Sequence, residues 1–145
     1  MSAHTPHPIV LEQVMFVRST VVAIPSHDPT VEAPQVVPDN AITVSKAKDH
    51  AGRYNASMRT VVNANSDSAW PYFIDMECIA VLGADDTLTE EEAYRGVTIT
   101  AHSVLYGAIR EAVAWITSRQ PFGPQMLGLS VLRPKQTANA APAEQ

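Results

Sequence analysis

The sequence predicts an α+β fold: a four-stranded antiparallel sheet with a C-terminal helix packed on one of its faces. Three observations carry this expectation. Runs of β-branched and aromatic residues, several with strict two-residue alternation, fill the chain up to Leu82. Helix-capping patterns and a 3.6-residue apolar stripe appear only after that point. Strands first and helices later describe a segregated layout, not a βαβ repeat.

Residues 1–8 hold Pro6 and Pro8 and little to pack, so they read as a short flexible tail. Ile9–Ile24 (IVLEQVMFVRSTVVAI) contains no Gly or Pro and predicts a long strand, with a bulge near Arg18–Thr20. Pro25, Pro29, Pro34 and Pro38 then forbid a central strand or a helix, which leaves an extended crossover loop. Ala41–Val44 is a short strand leading into the polar stretch Ser45–Gly52. In Tyr54–Asn65, Tyr54, Ala56, Met58, Thr60 and Val62 share one face, while Asn55, Ser57 and Arg59 share the other. Asn65–Ser68 is a turn by composition. Trp70–Leu82 returns as a strand with Tyr72, Ile74, Met76 and Cys78 on one face and Phe73, Asp75, Glu77 and Ile79 on the other. These two strands form the predicted hairpin.

Two overlapping capping boxes, Thr87/Glu90 and Thr89/Glu92, start a short helix that Gly96 is expected to stop. The main helix is expected over Ser103–Arg119, with Leu105, Ile109, Ala112 and Ile116 as its buried stripe and Ala108 and Trp115 flanking it. Pro121 and Pro124 bar its continuation. Residues 9–132 thus make one domain, and the polar segment 133–145 reads as a disordered tail.

Composition narrows the function. Only 17% of residues are charged, against roughly 25% in an ordinary soluble chain, while 46% are hydrophobic. The excess apolar surface calls for oligomerisation or an apolar partner. A net charge of −5, with ten dispersed Lys and Arg, argues against nucleic acid. No apolar run reaches the roughly 20 residues of a membrane span, and the N-terminus lacks the pattern of a secretory signal. With one cysteine, Cys78, no internal disulfide forms, so a cytoplasmic location is expected.

No catalytic motif, metal framework or phosphate loop stands in the chain, so no cofactor and no metal is expected. His4 and His7 lie in the proline-broken tail, and His27-Asp28 reads as turn chemistry. His102 has no partner placed beside it by sequence. A small α+β enzyme or ligand-binding domain would have to use His102 with Asp75 or Glu77. Those two carboxylates share a strand face and read either as a solvated surface or as a partner-docking patch, and Asp75 is expected to be exposed.

Within the main helix, Leu105-Tyr-Gly-Ala-Ile-Arg-Glu111, continuing to Ser118-Arg119 and Phe122, resembles the helix of SecB-type protein-export chaperones. Arg110, Glu111, Ser118, Arg119 and Phe122 match at that family's spacing. Tyr54 and Arg59 fall where its third strand has Tyr and Arg, and Phe73-Ile74-Asp75 falls where its fourth has an apolar pair before an acid. The similarity spans about residues 9–131. Gly107 replaces the proline that opens the family's helix, the second long helix is missing, and only Asp75 keeps an acidic docking position. The resemblance implies an ATP-independent holdase, a dimer of dimers binding unfolded precursor proteins for export, with the SecA motor as a docking partner at Asp75 and Glu77. A SecB-like chaperone dedicated to one client, such as an antitoxin, is the alternative. The expected groove residues are Phe16, Met58, Trp70, Tyr72, Ile74 and Met76 from the strands, with Leu105, Ile109 and Trp115 from the helix.

Overall fold

The structure is a computed structural model that describes residues 6–132. Residues 1–5 and 133–145, most of the two expected tails, lie outside the described residues. The elements run β1 (Ile9–Ala23), β2 (Asp39–Lys46), β3 (Arg53–Val62), β4 (Tyr72–Ala84) and α1 (Glu90–Thr117). The strands form one antiparallel sheet in the order β1-β4-β3-β2. The expected α+β layout is therefore present, and the β3–β4 hairpin pairs Tyr54 with Leu82 and Met58 with Cys78.

Alternation assigns the sheet's two faces. Tyr54, Ala56, Met58, Thr60 and Val62 on β3 lie beside Tyr72, Ile74, Met76, Cys78, Ala80 and Leu82 on β4, and all are buried. Helix α1 covers this face with Ala93, Val97, Ala101, Leu105, Ile109, Val113 and Thr117, a stripe stepping by four residues. Thr60 brings a hydroxyl into the layer, and it donates to Asn40 Oδ1 at 2.7 Å, which removes the cost of burying it.

β1 carries two bulges where one was expected. Its register against β4 shifts between Leu11 and Gln13 and again between Phe16 and Arg18. One extra residue is inserted at Glu12 and another at Val17, the latter just ahead of the bulge expected near Arg18–Thr20. The second bulge undoes the phase change of the first. Leu11, Val14, Phe16 and Val21 therefore all reach the helix side, opposite Leu82, Ala80, Cys78 and Ile74. β1 is also an edge strand, exposed along most of its length on both faces.

The helix departs from expectation at both ends. Gly96 does not stop it: α1 is continuous from Glu90 to Thr117. A Cβ on residue 96 would sit 3.3 Å from Ile9 Cγ1 and Cδ1, so the glycine lets the helix approach β1 closely. Burial of Ala93 and Val97 on either side outweighs the roughly 1 kcal/mol helix penalty of glycine. Thr89 is the N-cap and accepts from the Glu92 N–H at 3.2 Å, so the second capping pattern is the one used. Thr87 instead closes a turn on Asp85.

Past Leu105 and Ile109 the buried stripe runs through Val113 and Thr117, where Ala112 and Ile116 were expected. Those two, with Ala108, are half-buried on the flank toward β1, and Trp115 is 64% exposed, with the Arg119 guanidinium 5.2 Å from its ring centre. This stripe assignment makes a direct prediction. Leu105→Ala should destabilise the fold by about 2–5 kcal/mol, while Trp115→Ala should change stability by no more than about 0.5 kcal/mol in a denaturant titration.

Candidate functional site

Six of the nine expected groove residues are interior packing. Met58, Tyr72, Ile74, Met76, Leu105 and Ile109 are sealed between sheet and helix, so none of them faces a partner in this arrangement. The alternation that identified the four strand residues is the signature of the covered sheet face, and the helix seals that face over β3 and β4. The other three reach the surface in two places. Phe16 and Trp115 line a shallow concavity of about 390 Å³ between β1 and α1, together with Ala108, Glu111, Ala112 and Ile116. Trp70 stands just ahead of β4, where its indole N–H donates to the Pro34 carbonyl at 3.0 Å and pins the crossover loop.

Beside Trp70 lies a groove of about 620 Å³ that runs between the crossover loop and the segment after the helix. His27, Val31, Val36 and Pro71 form one bank, and Phe122 and Met126 form the other. The prolines hold the loop extended, and His27 Nδ1 donates to the Ser68 carbonyl at 2.8 Å while its ring packs edge-on against Phe122. The facing bank is an extended strap, residues 124–131. Its main chain is held by side chains of the core: Tyr106 donates to the Gly128 carbonyl, Arg110 Nε to the Leu127 carbonyl at 2.8 Å, and the Gln125 N–H to Thr117 Oγ1 at 2.8 Å. Leu127 is the strap's one buried anchor. Met126, Leu129 and Val131 point outward, as do Val31 and Val37 across the groove.

The buried Tyr72 hydroxyl sets the turn that launches the strap. It donates to the Gly123 carbonyl at 2.7 Å and accepts from the Phe122 N–H at 3.2 Å. Desolvation pushes its pKa up, against the Phe122 N–H, so the phenol stays protonated. The residues at the family spacing divide here. Arg110 and Phe122 build the strap and its groove, Ser118 caps the helix through the Trp115 carbonyl at 2.6 Å, and Glu111 and Arg119 are exposed. Sequence reading missed the strap because it lacks a period. The signal was the apolar density of Met126, Leu127, Leu129, Val131 and Leu132, too high for a solvated end.

Asp75 is not the exposed acid that alternation implied. It lies on the outer face, but only 6% of it is accessible. Arg59 of β3 donates through Nε to Oδ1 at 2.9 Å and through Nη2 to Oδ2 at 2.8 Å, and Arg18 of β1 reaches Oδ2 from the other side at 3.4 Å. The carboxylate thus ties three strands together. The Arg59 hydrogen bonds hold its pKa below the ordinary carboxylate range, against desolvation, and the charges of Arg59 and Arg18 add to the effect. Glu77 is half-buried, with Arg18 Nε 4.0 Å away. His102 stacks on Tyr106 and contacts Ser130 Oγ at 3.2 Å, on the helix side of the sheet. The sheet separates it from Asp75 and Glu77, so that triad is not assembled. Among the described residues no cluster of three His, Cys, Asp or Glu could hold a metal ion. No helix among them is long and apolar enough to cross a membrane.

No protein-family model matches the sequence, and no curated protein matches it. Solved structures do match. The SecB-like chaperone Rv1957 of Mycobacterium tuberculosis, solved in complex with a ChAD peptide from the Rv1956 HigA1 antitoxin, superposes with a TM-score of 0.61 at 19% identity, covering 88% of this chain and 93% of that one. A Streptococcus agalactiae protein of unknown function superposes with a TM-score of 0.52 at 11% identity, covering 83% and 97% of the two chains. The chain has a SecB-like fold.

The ion pair predicts a pH signature. Asp75 has a lowered folded pKa, so its contribution is full above the unfolded value and is lost as pH falls through the folded one. Asp75→Asn should lower stability by about 1–2 kcal/mol near neutral pH. The difference from wild type should shrink as the pH is taken below the ordinary aspartate range. A difference that stays constant down to acid pH would show that the charge is not what stabilises.

Proposed function

We propose that the protein is an ATP-independent holdase that receives extended apolar segments of unfolded chains. The observation that carries this reading is the groove between crossover loop and strap, both of whose banks present exposed apolar side chains, Val31 and Met126 among them. An extended segment laid there buries every second side chain, and its backbone meets a proline-rich loop that has few ladder partners of its own. Binding then depends on apolar area, at roughly 25 cal/mol per Å², and not on sequence. The function needs no bond chemistry.

Assembly supports the same reading. β1 offers an unpaired edge with Val10, Leu11, Val14, Met15, Phe16 and Val17 exposed, a length of apolar edge that single chains normally protect. Pairing of two such edges, continued into the Phe16–Trp115 concavity, accounts for the low charge content. By the SecB resemblance the product is a dimer of dimers, which places several grooves on one particle and gives avidity for a long client.

Two observations favour a chaperone dedicated to a particular client over general export. The carboxylate at the expected SecA-docking position, Asp75, is already taken by two arginines. The fold neighbour from M. tuberculosis holds an antitoxin peptide. We therefore place this protein's clients among unstable partner proteins such as antitoxins, reached in the cytoplasm.

Light scattering should give a multiple of the 15.7 kDa chain mass, and Phe16→Arg should drive it toward one chain. Wild type should suppress aggregation of an unfolded protein equally with and without ATP. Val31→Asp with Met126→Asp should raise the concentration needed by about ten-fold while leaving the fold intact. Full suppression by that double variant would remove the groove from the function.

A further inference from the structure

Among the described residues no element covers the outer face of the sheet, opposite α1, and its centre has an uneven charge exposure. Arg18 and Arg59 flank Glu77 directly, one on each neighbouring strand, and both lean toward Asp75. Their side chains are each 48% exposed, against 9% for Asp75 and 32% for Glu77. The four formal charges cancel, but an approaching molecule meets guanidinium first. Arg59 spends Nε and one Nη2 hydrogen on Asp75 in a bidentate pair, so the rest of its donor fork is fixed in place facing outward. Half-buried Phe73 and Ile79, with exposed Val22 and Met15, surround the pair.

We propose that this face docks an acidic, partly apolar segment of a partner protein, whose carboxylates are received by Arg18 and Arg59. Asp75 is then a positioning residue: it holds two flexible side chains in one geometry before the partner arrives, which removes most of the ordering cost of a long arginine. The apolar rim of Phe73, Ile79, Val22 and Met15 fits a partly apolar peptide better than a polyanion. The surface is separate from the client groove, which lies on the helix side of the sheet, so the two can be occupied together. The proposal stands whether or not the groove binds clients. Its sign is opposite to that of an acidic docking patch.

Fluorescence anisotropy with two labelled peptides, one alternating glutamate and leucine and the other lysine and leucine, reads the sign directly. The glutamate peptide should bind more tightly, and its advantage should fall as salt rises. Arg18→Gln with Arg59→Gln should weaken it about ten-fold, and Glu77→Gln, which removes a competing charge and no hydrogen bond, should strengthen it several-fold. Val31→Asp with Met126→Asp should leave the difference between the peptides unchanged even if client holding is lost. If the arginine variant fails to fold, the Glu77→Gln shift and the salt dependence still decide. Tighter binding of the lysine peptide, no response to Glu77→Gln, or equal binding of a single-stranded oligonucleotide would overturn the proposal.

Discussion

One helix has to cover a four-stranded sheet, and the rest of the molecule follows from how far that cover extends. α1 lies over β3 and β4, where every inward side chain is sealed. It reaches β1 only along a flank, through Ile9 near Gly96 and through Ala108, Ala112 and Ile116 near Phe16. An apolar edge strand of 15 residues is left without cover on its outer side. Burial of apolar area is the main driving force available to so weakly charged a chain, so the exposed edge is where association gains most.

The same shortage of helix explains the strap. Where the SecB resemblance leads one to expect a second helix, the described chain past Gly123 runs extended through residue 132 and makes no backbone hydrogen bonds within itself. It borrows them from the core: Tyr72, Tyr106, Arg110 and Thr117 each meet a strap or turn backbone group. A bank held by its main chain, with a single buried side chain at Leu127, keeps its remaining side chains free to meet another molecule. Groove and strap are therefore consequences of one fact, that the covering layer ends at residue 117.

On the opposite face the organising element is a charge and not an apolar layer. Asp75 accepts from arginines on both neighbouring strands, which fixes the edge strand β1 to the centre of the sheet. Such a pair stabilises modestly, because both guanidiniums remain wet. It also conceals the carboxylate and displays the cations.

Period-two alternation in residues 54–62 and 72–82 determined by itself which side chains share one face of the sheet, because sidedness in a strand is local geometry. The helix start at Thr89 and the crossover prolines were legible for the same reason: caps and fixed φ angles act within a few residues. Decisions that join distant residues were not legible. Gly96 reads as a stop until Ile9 is seen to need its space. The two bulges of β1 exist only relative to β4. Asp75 reads as an exposed acid until register brings Arg59 diagonally across from it on β3 and Arg18 in from β1 on the other side. Met58, Tyr72 and Leu105 read as groove or core alike, and the position of the helix decides between them. Local chemistry fixes what each residue offers; strand register and helix placement, set by packing between segments far apart in sequence, fix what it meets.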